Sequence, residues 1–168
     1  MSRGPATIQS RGKVLAAEEF ARALPAGARL LGLDVGTKTV GLALSDVTRT
    51  IASGLTTLAR GKFSADARRL LELAQEHGVG GFVIGLPISL DGSEGPRAQA
   101  TRAFARNLGR LTPLPILLWD ERLTTAAAER SLLEADVSRR RRSQVIDKVA
   151  ATLILQSTLD RLELIVRG

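Results

Sequence analysis

Apolar positions along the chain follow two rhythms, and the places where one gives way to the other predict the elements. From Arg29 to Val35 nearly every position is apolar, as in a strand buried on both faces. Val40 to Leu44 is apolar again, with Gly41, Ala43 and Ser45 interleaved, and reads as its hairpin partner across Gly36-Thr37-Lys38. Ile51 to Leu58, rich in Thr and Ser, reads as a weaker third strand. From Phe63 to His77 the spacing changes to a helical one: Phe63, Ala67, Leu70, Leu71 and Ala74 share a face, and Gly78 is placed to end the helix. Val79 to Ile84 is short and apolar, hence a strand. After the loop GLPISLDGSEGP, Pro96 suits the first turn of a helix reaching about Leu108. Pro115 to Trp119 is a strand ending at Asp120-Glu121, and Thr124 to Ala135 reads as a helix. Ser143 is placed to cap a last helix reaching about Leu162, with Val137 to Arg142 as its basic approach. Upstream, Val14 to Leu24 reads as a short amphipathic helix ended by Pro25 and Gly27.

The first three strands can pair as a meander, whereas the later two need crossovers and should run parallel to the first. The expectation is an α/β domain: a five-stranded mixed sheet with helices on both faces, over residues 29–168. Residues 1–28 form an N-terminal extension with one short helix. A chain of 168 residues suits one such domain.

Composition narrows the chemistry. There is no cysteine, so disulfides and thiolate metal sites are excluded, and a reducing cytoplasm is the expected location. No apolar run approaches the ~18 residues of a membrane span, so no membrane partner is expected. The 24 basic residues against 17 acidic ones give a net charge of +7, which favours an anionic partner, above all nucleic acid. Aromatic residues are only 3%, so phosphate contact is expected rather than base stacking.

Two of the apolar runs end in acids: LLGLD at Asp34 and PILLWDE at Asp120 and Glu121. In parallel sheets, ligand sites lie beyond the carboxyl ends of the strands, so these acids should share one rim. Asp147, in SQVIDKVAATLILQ, is followed at helical spacing by Ala150, Ala151 and Ile154, a face small enough to press against the sheet. Gathered ionised carboxylates repel unless a cation compensates. Oxygen ligands without cysteine and with one histidine suit Mg²⁺ or Mn²⁺. A pair of such ions about 4 Å apart supports phosphodiester cleavage. Each acid also has a plainer reading: Asp34 can pair with Lys38, Asp120 and Glu121 can cap the following helix or pair with Arg122, and Asp147 can answer a helix dipole.

Several other residues are candidates around this rim. Lys38 and Arg122 suit phosphate contact, as does the run Arg139, Arg140, Arg141 and Arg142 leading into the helix of Asp147. Gly32, Gly36 and Gly41 surround Asp34 and can admit a substrate backbone or serve the turn. Asp46 ends an antiparallel strand, so it should sit at the opposite end of the sheet as a turn residue. Asp91 and Glu94 read as turn or helix-start residues, His77 as a helix-end residue, and Trp119, Phe63, Phe82 and Phe104 as core.

Four segments in order, GLDVGTKTVGLALSD, VIGLPISLDGSEGPRAQATRAFA, DERLTT and IDKVAATLILQSTLD, resemble the YqgF or RuvX-like family over about Arg29 to Arg161. That family is described as Holliday junction resolvases and as nucleases maturing pre-16S ribosomal RNA. The resemblance implies an RNase H-like fold with strand order 3-2-1-4-5. It also implies a divalent-metal phosphodiesterase whose three acids map to Asp34, Glu121 and Asp147, leaving a 5′-phosphate and a 3′-hydroxyl. Lys38 and Arg122 are implied in substrate binding or support of the site. Implied partners are structured RNA such as pre-rRNA, ribosomal particles or branched DNA, with the protein a monomer or weak homodimer.

Two other classes compete. The segment LDVGTKTVGLALSD also resembles the phosphate-binding hairpin of the actin, hexokinase and Hsp70 group, but those enzymes use two such domains and this chain has room for one. A non-catalytic nucleic-acid-binding or ribosome-assembly factor would need the charge alone.

Overall fold

The computed structural model describes residues 13–124 and 139–167, excepting the side chains of 139–147. Its elements in chain order are α1 (Ala17–Ala23), β1 (Arg29–Val35), β2 (Thr39–Ser45), β3 (Ala52–Ala59), α2 (Phe63–Glu76), β4 (Val79–Leu86), α3 (Pro96–Gly109), β5 (Ile116–Asp120), a 3-10 turn (Glu121–Leu123) and α4 (Arg139–Arg167). The five strands form one sheet in the order β3-β2-β1-β4-β5. β1 pairs antiparallel with β2 and parallel with β4, which pairs parallel with β5. This is the mixed sheet that the strand order along the chain predicts.

Alternation along the strands divides the core into two layers. On one face Leu31, Leu33, Phe82, Ile84 and Ile116 pack with Leu70 and Ala74 of α2 and with Phe104 and Leu108 of α3. On the other face Leu30, Val83, Leu117 and Trp119 pack with Phe20 of α1 and with Ala151, Ile154 and Leu155 of α4. The helices therefore cover both faces, as expected. Among the described residues no helix is long and apolar enough to cross a membrane.

α4 crosses its face of the sheet at close range, and glycines permit the approach. A Cβ built at Gly32 would lie 2.8 Å from Leu155 Cβ and 3.3 Å from the Ala151 carbonyl oxygen. One at Gly54 of β3 would lie 2.7 Å from Cε of Lys148, whose aliphatic stem crosses that strand. Gly32 therefore serves helix packing, a role different from the substrate approach or turn that the sequence suggests.

Three boundaries differ from expectation. The first helix begins at Ala17, because the stretch before it is extended: Leu15 N–H donates to the Ile116 carbonyl at 2.8 Å and Ile116 N–H to that of Lys13 at 2.9 Å. The segment thereby borders β5, and Phe20 behind it is fully buried beside Gly81. α4 starts at Arg139, so Ser143 lies inside the helix and does not cap it; arginines are good helix formers and propagate it N-terminally. The same helix continues past Leu162 to Arg167. The helix expected over Thr124 to Ala135 lies, from 125 onward, outside the described residues.

At the sheet end remote from the parallel strand tips, Asp46 organises the β2–β3 turn, as its position after an antiparallel strand predicts. Its carboxylate accepts from Thr50 N–H at 2.7 Å, from Ile51 N–H at 3.0 Å and from the Thr48 hydroxyl. These donors, the Ile51 amide foremost, hold its pKa at about 2, below the usual 3.8. A depressed folded pKa stabilises the fold above the unfolded value and is lost as pH falls through the folded one. The Tm advantage of wild type over Asp46→Asn should therefore shrink between about pH 5 and about pH 2. A gap that stays constant in thermal melts across that range would refute this.

Candidate active site

The strand ends that carry Asp34 and Glu121 lie on one rim of the sheet. In β1, Leu31, Leu33 and Val35 point into the α2/α3 layer, so Asp34 points to the α4 side. In β5, Leu118 packs on the α2/α3 layer and Trp119 on the other, and the next residue in the Trp119 sense is Glu121. The strand between them is β4. Its register with β1 runs to Leu33 beside Ile84, which brings Asp34 level with Gly85, and Gly85 is itself level with Trp119. Gly85 thus forms the floor between two acids. A Cβ there would stand 3.2 Å from Glu121 Cγ and 2.5 Å from Ile154 Cδ1.

Both carboxyl-bearing residues are withdrawn from solvent, Asp34 at 3% exposure and Glu121 at 5%. Each makes contacts within the molecule. Acids this deeply buried are uncommon unless something compensates their charge. Their all-oxygen donor chemistry, on strand ends either side of a glycine, suits a hard divalent cation. Among the described side chains no group of three potential metal ligands forms. The third expected acid, Asp147, belongs to α4 one turn before Ala151, and its side chain lies outside those described.

Asp120 behaves differently from its neighbour. It caps the 3-10 turn, accepting from Arg122 N–H at 2.9 Å, and forms an ion pair with the Arg122 guanidinium at 2.7 Å. The Arg122 bond holds the Asp120 carboxyl below the usual carboxylate range and raises the Arg122 pKa in return. Of the readings left open for PILLWDE, capping and pairing belong to Asp120, and the inward position belongs to Glu121.

The loop after β4 is tied down at both ends. Asp91 accepts from Ser93 N–H at 2.9 Å and from its hydroxyl at 2.6 Å, which lowers the Asp91 pKa. Gly92 takes a left-handed conformation (φ 89°), and a Cβ there would lie 3.6 Å from Arg122 Nη1. Glu94 receives both Nε and Nη2 of Arg102, at 2.6 and 2.7 Å; the pairing lowers the Glu94 pKa and raises that of Arg102. Asp91 and Glu94 are thus turn and helix-start residues, as the sequence suggests. His77 stands at the end of α2, its amide N–H bonded to the Leu73 carbonyl at 3.1 Å. Trp119 is core, though its indole N–H has no hydrogen-bond partner among the described residues.

Lys38 lies exposed in the β1–β2 turn, next to the strand end that carries Asp34. Residues Arg139–Arg142 form the beginning of α4, whose first turn contains no acid. Two other basic residues were not singled out by the sequence. Arg60 Nη1 donates to the Gly36 carbonyl at 2.8 Å, and Arg97 Nη2 donates to the Val35 carbonyl at 3.1 Å. Isolated arginines at the end of β3 and the start of α3 carry no pattern that would have revealed these contacts.

Comparison with known proteins agrees with this geometry. The family model described as RuvX, Holliday junction resolvase, matches residues 28–161. A protein of Paracoccus denitrificans (strain Pd 1222) is 61% identical over 150 residues, covering 89% of this chain and 95% of its own length. One of Rhodobacter capsulatus is 60% identical over 145 residues, covering 86% and 91%. Both bear the name "Putative pre-16S rRNA nuclease". Among solved structures, T. thermophilus RuvC in complex with Holliday junction substrate aligns with 80% of this chain and 96% of its own, at TM-score 0.50 and 13% identity, a likeness of fold. The sheet order and these matches identify the fold as RNase H-like. With a family model spanning all five strands, and with relatives about 60% identical along nearly their whole length, the chain belongs to the RuvX family.

Proposed function

We propose that the protein is a divalent-metal-dependent endonuclease that hydrolyses phosphodiester bonds, acting in 5′-end maturation of pre-16S rRNA. The observation that supports the reading is the burial of two acids, Asp34 and Glu121, on neighbouring strand ends either side of β4, at the carboxyl rim of the parallel strands. The name carried by the relatives supports the choice of RNA substrate. Asp34 and Glu121, joined by Asp147 from α4, would hold Mg²⁺ or Mn²⁺, as two ions. When bound, such ions lower the pKa of a water and stabilise the charge developing on the leaving oxygen.

The protein's own residues supply the rest. The buried acids are fixed in orientation by the strand ends that carry them, which spares reorganisation during reaction. Asp120 and Arg122 support the turn that presents Glu121. Lys38 and the arginines 139–142 provide positive charge for the substrate backbone; an acid-free first turn of four cations is unfavourable for a helix dipole and suits an anionic partner. The family's description favours one second reading, resolution of four-way DNA junctions, which requires two sites acting together. A protein working on the rRNA precursor is placed in the cytoplasm, in keeping with its lack of cysteine.

The test is cleavage of a 16S precursor transcript and a four-way DNA junction side by side. Cleavage of the transcript should stop in EDTA and return with Mg²⁺ or Mn²⁺. Faster cutting of the junction would move the assignment to the second reading. Binding without cleavage of either substrate under any metal condition would leave only a nucleic-acid-binding role.

A further inference from the structure

The basic side chains around the rim differ in what neutralises them. Arg122 is paired with Asp120 and Arg102 with Glu94, so both positive charges are already answered by carboxylates. Arg60 and Arg97 are different. Each donates one side-chain hydrogen bond to a backbone carbonyl, and among the described residues neither has a carboxylate partner. Both residues are exposed.

Their anchors are the carbonyls of Val35 and Gly36, the two residues directly after Asp34. Arg60 is held further by the ring of Phe104, whose centroid lies 5.6 Å from its guanidinium carbon. That ring is in turn edge-on to Phe63 at 5.3 Å. The Arg60 amide N–H also donates to the Lys38 carbonyl at 2.8 Å, which ties the end of β3 to the β1–β2 turn. The arginines thus approach one turn from two directions, Arg60 from the end of β3 and Arg97 from the first turn of α3.

A guanidinium carries five N–H donors, and a carbonyl contact occupies one of them. A carbonyl dipole also leaves most of the positive charge uncompensated. Anchoring restricts the rotamers before any ligand arrives, so less entropy is lost on binding. An anion suited to planar donor forks is a phosphate.

We propose that Arg60 and Arg97 form a subsite for a backbone phosphate of the nucleic-acid substrate, adjoining the phosphate cleaved at Asp34 and Glu121. The subsite rests on the nuclease reading above. It assigns the recognition of a flanking phosphate to arginines at the β1–β2 turn, whereas Arg122 supports the protein.

The test measures binding in EDTA, where no cutting occurs, by fluorescence anisotropy of a labelled transcript spanning the 5′ end of the 16S precursor. Affinity is followed from about 50 to about 200 mM KCl. Arg60→Gln and Arg97→Gln should each lower the slope of log affinity against log salt by about 0.7–0.9, and the double variant by about twice that. Arg60→Lys and Arg97→Lys should keep the wild-type slope, since charge is retained. Arg97 is itself exposed in the first turn of α3, so its variants decide the matter even if Arg60→Gln does not fold. A wild-type slope in folded Gln variants overturns the subsite, including the case where only the cleavage rate falls and the arginines merely set the turn. If wild type itself binds neither this transcript nor a four-way DNA junction, the nuclease reading fails and takes the subsite with it.

Discussion

Asp34→Asn and Glu121→Gln should each reduce metal-dependent cleavage by roughly 10³-fold, while Asp120→Asn should stay within about tenfold of wild type. The first figure follows from losing several kcal/mol of charge stabilisation at 1.36 kcal/mol per decade. The contrast between neighbours follows from their surroundings. Glu121 is buried over Gly85, whereas Asp120 turns outward to Arg122 and to the backbone of its own turn, and asparagine can still accept the capping bond. All three variants should keep cooperative melting, because an amide replaces a carboxylate of nearly the same shape. Initial rates at saturating Mg²⁺, alongside thermal melts, separate the cases. Equal losses at Asp120 and Glu121 would show that the turn, not the identity of the acid, is what matters.

Gly85→Ala should impair both folding and chemistry. The added methyl meets Ile154 Cδ1 at 2.5 Å and its Cγ1 at 3.2 Å, in a fully buried side chain, and Glu121 Cγ at 3.2 Å, so both neighbours must yield. Overpacking of this kind costs about 1–3 kcal/mol. A shift of 1 Å in a reacting group can cost on the order of 10²-fold, so a smaller one should lower kcat about tenfold. The decisive measurement is kcat at a temperature where the variant is fully folded. A wild-type value there would mean that the floor between the acids tolerates a side chain.

Much of this arrangement is legible in the sequence because buried parallel strands advertise themselves. LLGLD and PILLWDE are apolar runs ending in acids, and only one rim of a parallel sheet can receive both. The distinction between Asp120 and Glu121 is harder, since it depends on which face the strand presents in its last residue; the 3-10 turn decides it. The role of Gly32 is set by the closeness of α4, which no local pattern announces. Ser143 offered a plausible start for that helix, but nothing before it breaks a helix, and the arginines carry it back to residue 139. Phe20 is one aromatic in a short amphipathic segment, and its burial depends on strands far along the chain. Arg60 and Arg97 take their meaning from carbonyls 24 and 62 residues away.

The arrangement of α1 and α4 on one side of the sheet also bears on synthesis. Phe20 and the inward face of α4 (Ala150, Ala151, Ile154, Leu155, Leu159 and Leu162) belong to one apolar layer, and Glu18 comes within 3.9 Å of Arg161. A nascent chain can pair all five strands and cover the α2/α3 side before α4 has left the ribosome, yet on its other side only α1 would be in place and the apolar surface under α4 would be exposed. On the proposed assignment, the third acid arrives on that same late helix. Emergence of the last element would then close the molecule and arm it in one event, so that a half-made copy cannot cut the RNA around it.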